Sequence, residues 1–96
     1  MRKDSNLAQA VKNVADAEIV DAREYRDESI KNFPGDKRMA DMFRADCRDR
    51  ISAARALKRG DIDEAYDIMH GMDTAARDGI TDAFWDLVNS LKKLSY

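Results

Sequence analysis

His70 is the single histidine and Cys47 the single cysteine of the 96-residue sequence. Any Ser-His-Asp, Cys-His or multi-histidine metal site is therefore confined to one imidazole. Cys47 falls on the apolar side of a helical stretch, where a thiol is structural and inert. His70 stands beside Gly71 at a helix end, a common place for an imidazole to serve the last carbonyls. Carboxylates are abundant, fifteen Asp among nineteen acids, so a pair of them carries no information. Asp61-x-Asp63-Glu64 lacks the spacing and the glycine of a calcium loop and fits a helix cap better. Gly-rich phosphate loops are missing too. No catalytic, metal or cofactor-binding residues are expected, and the chain is not expected to be an enzyme.

Three other patterns rise above background. The first is charge segregation beneath a net charge of −2. Residues 1–36 carry six basic and eight acidic groups, residues 37–59 eight and three, and residues 60–96 three and eight. Lys37, Arg44, Arg48, Arg55 and Arg59 share a sector of about 60° on one helix. Such a stripe can match acidic groups of its own chain or of a second copy, meet a protein partner, or track phosphates. Asp41 interrupts it, and no cluster of aromatics or amides joins it to read bases.

The second pattern is a pair of misplaced charges. Glu18 projects along the stripe Leu7-Val11-Val14-Ala22-Tyr25, and Arg50 projects among Met39, Phe43, Ala54 and Leu57. Both are equidistant in sequence from Pro34, so an antiparallel hairpin folded there would bring them together. The geometry predicts a buried Glu18–Arg50 pair, with snorkelling of both side chains to the rim as the alternative. The third is Trp85, which lies off the apolar stripe of its helix. A tryptophan there either packs against a second helix or anchors a binding interface. Met39, Met42, Met69 and Met72 form either an adaptable groove or ordinary core.

The elements that must position these groups are helical. Apolar residues recur at helical spacing over residues 6–33, 37–59, 62–70 and 74–94, which predicts an all-α, antiparallel bundle of about four helices. Ser5 or Asn6 can cap the first helix and Pro34-Gly35 ends it. Asp36 and Asp61 cap the second and third, with Gly60 between them. The last helix carries the stripe Ala76-Ile80-Ala83-Phe84-Leu87-Leu91-Leu94, and either Gly71 or Gly79 marks the break before it. Fourteen alanines against 24 large apolar residues favour close packing over a thick aromatic core. No internal repeat divides the chain, so residues 1–96 are expected to form one domain.

No stretch has the length of a signal peptide or of a membrane span, and a lone cysteine suits a reducing cytoplasm. The expectation is therefore a cytoplasmic protein–protein interaction module: a small regulator, adaptor or inhibitor of a larger protein, of the kind phages also carry as accessory proteins. It can act as a homodimer. Expected contact residues are Trp85, Arg44, Arg48 and Arg55, with Tyr96 as a lesser one. The alternative is a nucleic-acid-binding protein that uses the basic face of residues 37–59.

Overall fold

The structure, a computed structural model, describes residues 2–72 and 79–94. Four helices fill it: α1 (Arg2–Asn32), α2 (Lys37–Lys58), α3 (Ile62–Gly71) and α4 (Gly79–Leu94), and no strand occurs among the described residues. The chain is an all-α bundle. α1 packs on α2, α2 on α3, α3 on α4, and α4 back on α1, so the helices form a closed ring with α2 diagonal to α4. Thr81 of α4 meets Glu18 and Asp21, while Leu91 shares a depression with Leu7 and Val11. α4 therefore runs antiparallel to α1, as short connections demand. No helix of the described residues is long and apolar enough to cross a membrane.

The local chemistry explains each boundary. Pro34 cannot continue α1, and Gly35 turns the chain at φ 79°, a region open to glycine at little cost. Asp36 caps α2 by accepting the backbone N–H of Met39 at 3.0 Å. At the other end of α2 the N–H of Gly60 reaches the carbonyl of Leu57 at 3.0 Å, and the N–H of Asp61 reaches that of Ala56 at 2.9 Å. These two bonds form a Schellman motif, with Gly60 at φ 82° in the left-handed position. Asp61 then caps α3 through the N–H of Glu64 at 3.1 Å. One residue thus closes one helix and opens the next.

The core is thin and alanine-rich. Ala15, Ala53, Ala54, Ala56 and Ala65 have no exposed surface, and Leu57, Met69, Phe84 and Val88 fill the space between them. Small residues let helix axes approach to the short end of the usual 8–10 Å. α2 buries a wide face because both α1 and α3 lie against it.

Several positions differ from the sequence pattern. α1 begins at Arg2, ahead of the Ser5 or Asn6 cap. Gly71 is the last residue of α3, and Met72 ends that helix in an extended conformation rather than a glycine turn. α4 is described from Gly79, so residues 74–78 of the expected helix, with Ala76, lie outside the described residues, as does Tyr96. The buried face of α4 is rotated to Thr81, Phe84 and Val88, leaving Ile80, Ala83 and Leu94 exposed. Leu7 is exposed, on the wall of an open depression that it shares with Leu57, Ile62 and Leu91. The four methionines do not form one groove: Met69 is buried, Met39 and Met72 are half-buried, and Met42 is exposed.

The Schellman turn yields a test. A Cβ on residue 60 would meet nothing within 4 Å, so Gly60→Ala carries only the backbone cost of a positive φ. Urea denaturation should show a loss of about 1–2 kcal/mol.

Candidate functional site

At the centre of the bundle, three helices converge on one guanidinium. Arg50 of α2 donates from Nε to Glu18 Oε2 at 2.8 Å and from Nη2 to Glu18 Oε1 at 2.9 Å, a two-pronged contact. Nη2 also reaches Asp21 Oδ2 at 2.8 Å and the Thr81 hydroxyl oxygen at 2.5 Å. Glu18 is 1% exposed, Thr81 3% and Arg50 6%, so these three are sealed from water, while Asp21 stands at the rim of the cluster. The Tyr25 ring lies 5.9 Å from the guanidinium carbon, within cation–π range. Among the described residues no buried side-chain polar atom lacks a partner.

The electrostatics follow from this crowding. Burial disfavours the charge on Arg50, but its hydrogen bonds to Glu18 and Asp21 more than offset that, holding it above its ordinary pKa. Asp46, half-buried on α2 nearby, is pushed above the usual aspartate value. Desolvation is the main cause; Arg50 opposes it, and the negative charges of Asp49 and Glu18 add to it.

Because Arg50 points inward, the other cations of α2 point out. Arg44, Arg48 and Arg55 are exposed, on the side of α2 away from its buried alanines. Together with Arg26 of α1 they line a shallow depression of about 320 Å³ that includes Ile51, Ser52 and the buried Cys47. Arg26 is held by Asp27 at 2.8 Å, and Arg44 lies 3.6 Å from Asp41, which Lys37 also binds at 2.9 Å. Among the described residues Arg48 and Arg55 have no ion-pair partner. At the C-terminal end of the stretch, Lys58 binds Asp16 and Arg59 binds Glu64. Charge matching within the chain thus reaches the inner face, both ends of α2 and, through Asp41, the N-terminal part of its back, and leaves Arg48 and Arg55 without an ion-pair partner among the described residues.

Trp85 lies elsewhere. It is half-buried on α4 and packs against the core, with its ring centroid 5.2 Å from that of His70. His70 in turn stacks on Tyr66 at 4.0 Å and contacts Asn89 Oδ1 through Nε2 at 3.3 Å. The arginine row and Trp85 therefore sit on diagonal helices and do not form one patch. Cys47 lies against Arg26, with 3.9 Å between Sγ and Nη1, and no hydrogen bond joins it to His70. Among the described residues no group of three or more His, Cys, Asp or Glu side chains could hold a metal ion.

Another depression, of about 350 Å³, lies at the opposite end of the bundle. It is lined by Leu7, Val11, Leu57, Ile62 and Leu91, with Lys12 on its rim. Asp21 and Thr81 are the site residues that sequence reasoning did not find. Thr81 carried no signal as a polar residue beside an apolar stripe, while Asp21, three residues after Glu18, was findable as its neighbour on the next turn. No family model matches the chain, and no curated protein and no solved structure shows a significant match to it.

Two predictions come from the Arg50 cluster. Arg50→Met strands Glu18 beside Asp21 and should cost roughly 3–5 kcal/mol. Glu18→Gln leaves Arg50 its bonds to Asp21 and Thr81 and should cost less, about 1–3 kcal/mol. Chemical denaturation of both and of the double variant should show coupling; additive losses would exclude a direct pair. For Asp46, the folded pKa lies above the unfolded one. The destabilisation is absent where both states are protonated and grows as pH rises through the raised value. Asp46→Asn should accordingly stabilise the protein at pH 7, by under about 1 kcal/mol given its partial exposure, with the gain fading on acidification.

Proposed function

We propose that the chain is a non-enzymatic interaction module, a small regulator, adaptor or inhibitor that binds a larger protein through the back of α2. The observation that carries this reading is the exposed row Arg44, Arg48 and Arg55, in which Arg48 and Arg55 have no ion-pair partner among the described residues. Arginine is enriched at binding hot spots because its planar fork makes several directed bonds at one site. On a rigid helix such a row is also preorganised, which lowers the cost of binding.

The placement of the two reactive side chains supports the non-enzymatic part. Cys47 is buried, and His70 is stacked on Tyr66 and Trp85 rather than facing a nucleophile. Trp85, half-buried in the α3–α4 seam, serves the fold in this reading, and the arginines serve the partner. A second copy of the chain is within the same reading, and so is a cytoplasmic location.

Arg48→Glu/Arg55→Glu tests it. Exposed side chains without partners change stability by no more than about 0.5 kcal/mol, so the double variant should remain folded by circular dichroism. Immobilised wild-type protein should retain a specific protein from a nuclease-treated cell extract, and the double variant should lose it. Retention of duplex DNA instead, weakening steeply with salt, would replace the reading with a nucleic-acid-binding one. Identical capture by both proteins would remove the arginine row from it.

A further inference from the structure

We infer that the partner presents an acidic amphipathic helix, which lies along the back of α2 with carboxylates opposite Arg44, Arg48 and Arg55 and an apolar side chain over Ile51. The inference rests on the interaction reading above and names the chemistry of its partner.

The spacing carries it. Arg44, Arg48, Ile51 and Arg55 stand at i, i+4, i+7 and i+11, all outward or half-outward on one straight helix. Alternating steps of four and three are the a/d spacing of a helix–helix seam, in which each side chain enters a gap on a facing helix. The four residues cover about 16 Å of axis at 1.5 Å per residue. Charges on a facing helix at the same steps would fall in register with all three arginines. An extended peptide shows one face every second residue, about 6.6 Å apart, which matches the step from Arg44 to Arg48 but falls out of register at Arg55.

The surroundings fit the same occupant. The depression beside the row is bounded across its width by Arg26 of α1 and includes Ile51 and Ser52. A strip with an apolar middle and cationic flanks suits the apolar face of a helix edged by Glu or Asp. Nucleic acid would be served by the cations but not by Ile51, and no aromatic ring lines the depression for base stacking. Asp41 lies one step before Arg44 on the same row, where it would repel a phosphate chain. There a facing helix could place a polar or basic residue. Among the described residues no acid of α3 or α4 pairs with Arg44, Arg48 or Arg55; Glu64 of α3 reaches only as far as Arg59.

The test uses the full chain and a fluorescein-labelled, hydrocarbon-stapled peptide helix. The peptide carries Glu at i, i+4 and i+11 and Leu at i+7. A second stapled peptide of the same composition distributes its glutamates around the helix. Fluorescence anisotropy at low salt should show the patterned peptide binding at least tenfold tighter than the scrambled one. Arg48→Glu/Arg55→Glu should abolish that preference, and Ile51→Asp should weaken binding several-fold. Equal binding of the two peptides, or of neither, would overturn the inference. So would tighter binding of duplex DNA, or sedimentation of the purified chain as a dimer that Arg48→Glu/Arg55→Glu dissociates. Capture of a protein by wild type but not by the double variant, with the peptides indistinguishable, would sink the acidic helix and leave the interaction module standing.

Discussion

Arg50 is where the bundle's constraints meet. Its guanidinium is sealed inside the protein and must be answered there. Glu18 and Asp21 of α1 and Thr81 of α4 do so at hydrogen-bond distance. Taking these charges out of water costs several kcal/mol per ion, and their attraction repays that only when nearly every donor and acceptor is met. The cluster therefore adds little net stability. Its contribution is register. Around Arg50 the α1–α2 contact is built on alanines, which offer few steric stops against sliding, and Tyr25 packs on Phe43 nearer the turn. A slip of one turn along α1 would set Val14 or Ala22 opposite Arg50, leaving a buried guanidinium without its two-pronged partner. α4 is fixed by the same requirement, since Thr81 must face a carboxylate rather than lipid-like side chains.

The outward surface of α2 is a consequence of that inward commitment. A helix of 22 residues presents one face to α1 and another to α3, and the remaining strip faces water. Into that strip go the remaining cations. Like charges at i and i+4 on one helix destabilise it by about 0.2–0.5 kcal/mol each. Asp41 relieves the N-terminal part of the row, where Lys37 and Arg44 both approach it. Farther along, Arg48 and Arg55 have no such relief among the described residues.

Much of this was legible in the residues. Helical periodicity, Pro34-Gly35, Gly60 and the capping aspartates Asp36 and Asp61 locate the turns because each acts through local backbone chemistry. Glu18 and Arg50 stand out as charges on apolar stripes, and their equal distance from Pro34 places them opposite each other in an antiparallel hairpin. Thr81 and Asp21 were harder. A threonine at the inner position of α4 looks like solvent face to any periodicity argument, and it goes inside only because a buried ion pair elsewhere in sequence attracts it. Rotation of the α4 stripe toward Thr81, Phe84 and Val88 follows from that attraction, and Ile80 and Leu94 are turned outward with it.

The separation of Trp85 from the arginine row has a different origin. Helical wheels give the faces of each helix but not the order of helices around the ring, and that order decides which faces become neighbours. With α2 diagonal to α4, the one ion pair between the basic and the acidic thirds among the described residues is Arg59 with Glu64 at the α2–α3 turn, although α3 packs on α2. Opposite charges that the sequence sets side by side are thus left largely unpaired with each other by the fold. A strip of cations on a rigid helix, with its repulsion unrelieved from within, gains more from an external anion than a flexible lysine tail would. The backbone ordering has already been met by folding, and the arginines are anchored at fixed axial steps. The same ion cluster that sets the register of the core therefore also sets the direction in which the outward row faces.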